Sequence, residues 1–339
     1  MKIALASLAL VSSVAVAWWD NGHQLIGEVA TQLLAKEDVA TINSLLGVWN
    51  NDYPNTGEIT TATIWPDLIK CDSVSATYCP SPKKPAVKFT DDWHYIDIPA
   101  NVNGSDWHGL TSKDVDALIK ASIDGKGLYT LQQTLNTLAK THSTWSANFV
   151  LRFFLHVFGD IHQPLHTTAG ISDKFPAGDA GGNSYQFITP CSGTNLHAIW
   201  DNVAGVYTNN WYPDSIPGSQ ARKDLSANAT KLIAKYGSNT DSLNYAKYAA
   251  LPNYASFLSA VQNDKLLEKT FLESYVLSRT VTYVGLDYTF TGSKIPCPSA
   301  DYQTKLVSTV EPRVVLAGQR MAAFLTQFAK QLRTQGLAQ

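Results

Sequence analysis

The sequence predicts one mostly helical domain. Apolar residues recur three and four apart through several long stretches, and no repeat, low-complexity block or linker separates the halves. The residues with the most distinctive chemistry are also spread from 18 to 201, so they belong to one unit even though 339 residues would allow two domains.

Taken in order, Asn21-Gly22 opens a helix through Leu34, with Leu25, Ile26, Val29, Leu33 and Leu34 at helical spacing. Glu37-Asp38-Val39 begins a second that runs to Leu46. Residues 50–62 are rich in Asn, Gly and Thr and read as a loop. Ile64 to Lys70 makes a short helix with Pro66 in its first turn. Trp93 to Pro99 alternates and reads as extended. Ser112–Ile119 and Leu131–Lys140 are helical by periodicity, and the apolar run Phe149–Leu155 leads into a central buried helix. A small-residue loop spans Thr167–Gly182, a strand-like piece follows at Ser184–Thr189, and Asn195–Asp201 resumes helix. Three more helices are expected near 223–235, 265–288 and 305–332, the last with its apolar stripe on Val310, Val314, Val315, Ala322 and Leu325.

Residues 156–166 carry the strongest chemical signal: His156-Val-Phe-Gly-Asp160-Ile-His162-Gln-Pro-Leu-His166. His156 and Asp160 are four apart and share a helix face, with Cβ atoms roughly 6 Å apart. Pro164 ends or kinks that helix near Gln163, so His166 projects from different geometry. Imidazoles and carboxylates converging in this way suit zinc. An isolated His-x-x-x-Asp is equally a helical ion pair, but His197 and Asp201 repeat the spacing. His23 and His94 also sit in patterned contexts. His108, His142 and His162 are assigned to exposed or structural roles.

The N-terminus couples Met1-Lys2 to an apolar stretch, Ile3–Ala17, ending Ala-Val-Ala, which is the pattern of a secretory leader. The expected division is a leader over 1–17 and one domain over 18–339; the leader is too short to span a membrane comfortably. Export makes disulfides the natural reading of Cys71, Cys79, Cys191 and Cys297, which lack zinc-finger spacing. Three pairings are possible. Cys71–Cys79 with Cys191–Cys297 is favoured because the first closes a short polar loop; in a chain-entropy picture such loops contribute ~2.6 and ~4.7 kcal/mol. Asn103 and Asn228 begin glycosylation sequons. The formal charge is -2, or -3 once Lys2 is removed, and no basic run appears. Long electrostatic contact with duplex phosphates is therefore excluded, and any hold on nucleic acid is local. There is no C-terminal anchor signal and no sign of an obligate protein partner.

Trp18-x-x-x-Gly-His23, Trp65-Pro-Asp67, His94-Tyr-Ile-Asp97, the Gly159–His166 block and Asn195-Leu-His-x-x-Trp-Asp201 together resemble the zinc-dependent, single-strand-specific class I nucleases and 3'-nucleotidases. That group shares a superfamily with zinc phospholipase C. The motifs run in family order over the mature chain to about residue 320. The resemblance implies an all-α domain with three zinc ions at the floor of a cleft. The first would be bound by Asp67, His94, His156 and Asp160, and the second by His166, His197 and Asp201. The third would take the amino nitrogen and carbonyl oxygen of Trp18 together with His23, with Asp160 bridging to the first. An α-amino group has a pKa near ~7.7, so a metal displaces its proton readily, and the chelate forms only if nothing precedes Trp18. Three divalent ions against three aspartates leave a local cation that holds phosphate on an otherwise acidic protein.

The implied reaction is phosphoester hydrolysis. A zinc-held hydroxide, its pKa lowered toward ~7, attacks phosphorus in line, oriented by Asp67. The second zinc and Lys70 stabilise charge on the phosphoryl oxygens and the departing O3'. Products are 5'-nucleotides, and 3'-nucleotides are a second substrate. Part of the family has arginine where Lys70 stands, and a lysine is a point charge rather than a fork; Trp19 likewise replaces a frequent glycine. Tyr95 and Asp97 fall where the family places a base-stacking platform and a base-binding carboxylate, and stacking is worth ~1–3 kcal/mol per base. Core packing is nearly as good a reading of Tyr95. Asn183, in Gly-Gly-Asn, is a weaker contact candidate, since that tripeptide is first a turn. The expected substrates are single-stranded DNA and RNA in an extracellular or secretory-lumen setting. The rivals are a zinc phospholipase C, which would need an apolar rim, and a non-catalytic secreted zinc-binding protein, which leaves Asp67 and Lys70 unexplained.

Overall fold

The structure is a computed structural model that describes residues 18–72, 76–82, 84–103, 112–207 and 215–338. The expected leader and His108 lie outside the described residues. The chain is all-α apart from one small sheet. Its first elements are α1 (Asp20–Leu33), α2 (Lys36–Gly47), and two single-turn helices, α3 (Ile59–Ala62) and α4 (Trp65–Leu68). A 3-10 turn over Lys88–Trp93 leads to β1 (Ile98–Asn101). Then come α5 (Ser112–Ile123), α6 (Lys126–Lys140) and the central α7 (Thr144–Asp160). A short strand, β2 (Thr168–Ile171), and α8 (Leu196–Asp201) follow. The C-terminal part comprises α9 (Gln220–Tyr236), α10 (Ala246–Ala249), α11 (Tyr254–Asn263), α12 (Leu266–Leu277) and the long α13 (Ala300–Thr334).

α7 is the axis on which the site is built. Ser143 caps it by accepting from the Ser146 amide at 3.3 Å, and every residue from Leu151 to Asp160 is buried. Phe154 and Phe158 stack with centroids 4.9 Å apart, and Phe154 lies 5.6 Å from Phe324 of α13. Each such side chain contributes roughly 1.5–3 kcal/mol by leaving water. That burial is what allows polar residues in the last turn to sit in a dry interior. α13 packs along α1, α2 and α9 and closes the far side of the core, and all five residues of its expected stripe are buried.

Most expected helices appear within a few residues of their predicted limits. α7 stops at Asp160, and Pro164 opens a separate 3-10 turn, Pro164–Thr167, whose Leu165 amide is capped by Gln163 Oε1 at 2.5 Å. Both disulfides pair as favoured, Cys71–Cys79 and Cys191–Cys297.

Four expectations need correction. The loop expected over 50–62 ends in the single-turn helix α3, Ile59–Ala62, whose four residues are all buried. The loop expected over Thr167–Gly182 contains β2, which pairs in parallel with β1 from Ile98↔Thr168 to Asn101↔Ile171; the small residues of Thr-Ala-Gly-Ile hid it. The strand expected over Ser184–Thr189 makes only single bridges, Gln186↔Asn195 and Phe187↔Ile295. Its alternation arises because Tyr185 and Phe187 are buried in the core. The helix expected over 265–288 leaves α-geometry at Leu277 and finishes in a wide turn over Ser278–Thr282, where two β-branched residues flank the end. Helices α10 and α11 were not anticipated.

Candidate metal centre

The last turn of α7 presents His156 and Asp160 with Nε2 and Oδ2 3.4 Å apart. Five other segments deliver partners. α1 brings His23, whose Nε2 is 3.2 Å from Asp160 Oδ1. His94, just past the 3-10 turn, places Nδ1 3.3 Å from Asp160 Oδ2 and 2.9 Å from His156 Nε2. α4 carries Asp67, with Oδ2 3.7 Å from His156 Nε2. The turn after α7 and α8 bring in His166, His197 and Asp201; His197 Nε2 is 3.2 Å from Asp201 Oδ2, and His166 Nε2 is 3.8 Å from Asp201 Oδ1. All eight side chains are buried.

Three of the imidazoles have their tautomer fixed by backbone carbonyls, which can only accept. His156 Nδ1 donates to Thr63 O at 2.6 Å, His166 Nδ1 to His94 O at 3.0 Å, and His197 Nδ1 to Gly181 O at 2.7 Å. Each therefore turns an unprotonated Nε2 inward. His166 Nε2 and His197 Nε2 face each other at 3.2 Å with no proton between them. Two lone pairs so placed repel unless a cation lies between them. Nitrogens ~2.05 Å from one tetrahedral ion sit about 3.3 Å apart, which is this spacing.

Asp160 completes the argument. Neither of its oxygens has a hydrogen-bond partner, and neither does either ring nitrogen of His23. Buried polar atoms are rarely left so. One oxygen faces His23 while the other faces His94 and His156, so a single carboxylate can serve two ions. His156 has one lone pair and can serve one. Three sets of side chains have ligand atoms within 4.8 Å of one another: His23, His156 and Asp160; Asp67, His94 and His156; and His166, His197 and Asp201. Hard and borderline donors in these sets match a divalent ion such as zinc.

Electrostatics point the same way. Burial pushes the His23 imidazole down to about 3 and that of His156 to about 4, and lowers His94 and His166 as well. These rings are neutral and ready to ligate. Burial pushes Asp160 up to about 8 and also raises Asp201, so both carboxylates lack a compensating charge from the protein. Asp67 differs: burial raises it, but the Lys70 ammonium beside it overrides that and holds it well below the usual range.

Trp18 is fully buried and donates its indole N–H to Gly159 O at 2.9 Å, which fixes the backbone at residue 18 against the end of α7. Gly159 is itself required: a Cβ there would stand 3.0 Å from His23 Nδ1. The Trp19 amide donates to Asp201 O at 3.3 Å. Lys70 Nζ is 2.9 Å from Asp67 Oδ1 and 3.8 Å from Asp91 Oδ1, and is 2% exposed, so its ammonium is already engaged within the protein.

Tyr95 and Asp97 are half-buried on the segment entering β1, which the Ile96 amide ties to His166 O at 2.9 Å. Burial, with Asp97 nearby, pushes the Tyr95 hydroxyl up to about 12, and burial pushes Asp97 up to about 6. Asn183 is spent on its own turn, donating to Ala180 O at 2.9 Å. His162 faces away from the cluster, toward Phe158 O and Arg320, and His142 is exposed.

Several supporting groups were not singled out from sequence. Gln163 donates to Asp201 Oδ1 at 2.7 Å. Asp179, fully buried and pushed up to about 7 by burial, accepts from the Gly170 amide at 2.8 Å and the Tyr283 hydroxyl at 3.0 Å. It anchors the loop in which Gly181, at φ +62, aims its carbonyl at His197. Gln163 lay in plain view inside the 156–166 block. Thr63 and Gly181 act through backbone, which leaves no side-chain signal.

The sequence profile described as S1/P1 nuclease matches residues 18–330 and so begins at Trp18. The chain is 25% identical to Nuclease S1 of Aspergillus oryzae over 331 residues, covering 98% of both chains. It is 22% identical to Nuclease P1 of Penicillium citrinum over 321 residues, covering 91% of this chain and 97% of that one. Endonuclease 3 of Arabidopsis thaliana is 26% identical over 218 residues, 63% of this chain and 64% of its own.

Proposed function

Since the chain belongs to the S1/P1 nuclease family and is thus a phosphodiester hydrolase, we propose that it is a secreted zinc endonuclease cutting single-stranded DNA and RNA to 5'-nucleotides. It also removes 3'-phosphates from nucleotides. The observation that carries this reading is the convergence of His166 Nε2 and His197 Nε2, 3.2 Å apart, with a buried carboxylate at Asp160 whose two oxygens face different partners.

Three zinc ions would be held by the sets already described, with the amino nitrogen and carbonyl of Trp18 joining His23 at the third. When bound there, zinc supplies hydroxide at neutral pH and positive charge against the phosphoryl group. The chain's own residues do the rest. Lys70 locks one oxygen of Asp67, leaving the unpartnered Oδ2 to orient the attacking water. Tyr95 offers a ring to the base next to the cut and Asp97 an acceptor to its edge. A paired base reaches neither without unstacking, hence the preference for single strands. Asn183 keeps the His197-bearing loop in shape and contacts sugar or phosphate only at the cleft edge. Two disulfides favour an oxidising compartment, and among the described residues no helix is long and apolar enough to cross a membrane.

The test is to assay the protein starting at Trp18 against single-stranded DNA, duplex DNA, RNA, a 3'-nucleotide and phosphatidylcholine. Turnover of the single strands and the 3'-nucleotide, with little on duplex and none on lipid, is expected. Turnover of the lipid alone overturns the substrate assignment, and zinc uptake without turnover of anything overturns the catalytic one.

A further inference from the structure

Behind α4 lies a second feature that the hydrolytic centre does not use. Asp67 and Lys70 turn toward the metal centre, while Trp65 and Ile69, one helical turn apart, turn the other way and floor a groove of about 580 Å³. Its walls are Trp49, Tyr53, Tyr78, Trp145 and Phe149. Their rings form a continuous aromatic surface: Trp49 lies 5.7 Å from Trp65 and 5.8 Å from Trp145, and Tyr53 lies 5.0 Å from Tyr78. Trp145 stacks on Phe149 with an interplanar angle of 8°, yet remains 62% exposed, so its other face is open to solvent. An exposed ring continuous with a row of other rings offers a contiguous apolar face for a planar partner to cover.

Under this wall sits a buried charge. Arg152 is fully buried, with its guanidinium carbon 5.3 Å from both the Trp49 and Trp65 rings. Its donors go to Asn148 Oδ1, Thr56 O, Thr56 Oγ1 and Leu46 O, all uncharged. Among the described residues no carboxylate forms an ion pair with it. A guanidinium held in the interior without a counter-charge projects its field through the two indole rings that cover it. The groove therefore joins stackable planar faces to a fixed positive potential. That combination suits one chemical class above others, a single-stranded polyanion with planar bases. Asp52 at the rim is an acceptor, which suits the amino edge of a base better than a phosphate.

We infer that the Trp49–Trp145 groove is an accessory nucleobase-binding site that holds the single strand a few nucleotides away from the bond being cut, on the opposite face of α4. This inference rests on the nuclease reading for its occupant. A role of this kind shows on chains long enough to occupy both sites and not on a mononucleotide held at the metal centre alone.

The experiment compares wild-type holoenzyme with Trp145→Ala and Trp145→Phe, the first removing an exposed ring that the core does not need. Two readouts are taken: the Kd of a fluorescein-labelled single-stranded phosphorothioate 12-mer by anisotropy, and kcat and KM on a single-stranded 30-mer and on a 3'-nucleotide. Trp145→Ala is expected to weaken the 12-mer by at least about 5-fold, the lower end of one lost stacking contact. It should raise KM on the 30-mer by a similar factor and leave kcat and the 3'-nucleotide unchanged, with Trp145→Phe keeping most of the binding. A Kd within twofold of wild type overturns the inference, as does an equal loss on the 3'-nucleotide. If the wild type cuts nothing, the nuclease reading fails, and the 12-mer Kd still decides the groove.

Discussion

Two buried polar clusters lie on either side of the α7 C-terminus, and His162 and Asp160, two residues apart, belong to different ones. On the His162 side, Arg320 Nη2 meets Asp241 at 2.6 Å, Arg320 Nη1 meets Glu273 at 2.7 Å, and Arg313 Nη1 meets Glu273 at 2.6 Å. Arg313 also donates to Ser274 Oγ at 2.6 Å and to His162 O at 3.3 Å. Charge and donors balance: two guanidiniums answer two carboxylates. On the Asp160 side, five imidazoles and three aspartates meet a single lysine, and both Asp160 oxygens and both His23 nitrogens go without partners. Arg320 and His162 are as deeply buried as Asp160, although Glu273 and Asp241 reach partly to solvent, so depth alone does not distinguish scaffold from site. What distinguishes them is whether the protein satisfies its own groups, and the cluster that does not is built to be completed by something else.

Breaking each cluster should therefore have opposite consequences. The largest effect is expected from Asp160→Asn: loss of more than one metal equivalent by elemental analysis and a fall in activity beyond about 100-fold. In chelator the same variant should be more stable than wild type, because a carboxylate that burial disfavours has gone. Retention of all metal would break the contrast. Next is Glu273→Gln in the self-satisfied network. It should cost about 2–3 kcal/mol in urea unfolding, toward the low end for a buried pair because Glu273 is partly exposed, with the metal content unchanged.

The pH dependence sharpens the same contrast. In the chelated protein, below about pH 6.5 the unfolded chain binds protons that His23 and His156, at about 3 and about 4, refuse in the fold; His94 and His166 are lowered too. Stability then falls as pH falls. Above that point Asp160, at about 8, and Asp201, also raised, hold protons in the fold that the unfolded chain has released, so stability falls as pH rises. Thermal unfolding in chelator should peak near pH 6.5, and Asp160→Asn should flatten the alkaline side. Glu273 behaves oppositely. Burial raises its carboxyl, but the hydrogen bond and charge of Arg320 prevail and hold it well below its ordinary range. Its contribution is present at neutral pH and lost only as pH falls below about 4.3. The smallest effect is expected from Gln163→Leu, which frees Asp201 Oδ1 and should weaken metal about 10-fold in a chelator competition.

How much of this was legible from sequence follows from where each signal resides. The 156–166 block announced itself because its side chains are consecutive on one helix end and its proline forces the change of direction. His23, Asp67 and His94 were legible only as a constellation, since each alone is an ordinary polar residue. The carbonyls of Thr63, His94 and Gly181, which set three tautomers, left no trace, because a backbone acceptor carries no residue identity. Asp179 lies in the stretch read as a small-residue loop, where no spacing marks a single aspartate as buried. Arg152 stood inside the apolar run and read as part of it; that no described carboxylate pairs with it is a fact of packing. The strand β2 was missed because parallel pairing with β1 is decided nearly seventy residues away.

The central claim, that the unsatisfied cluster is a three-ion site completed by a free amine at Trp18, is tested most directly by counting zinc. The natively processed protein and one carrying a single extra residue before Trp18 would be measured side by side by elemental analysis. Three ions per chain falling to two is the predicted result; an equal count in both, or fewer than three in the native form, would contradict it.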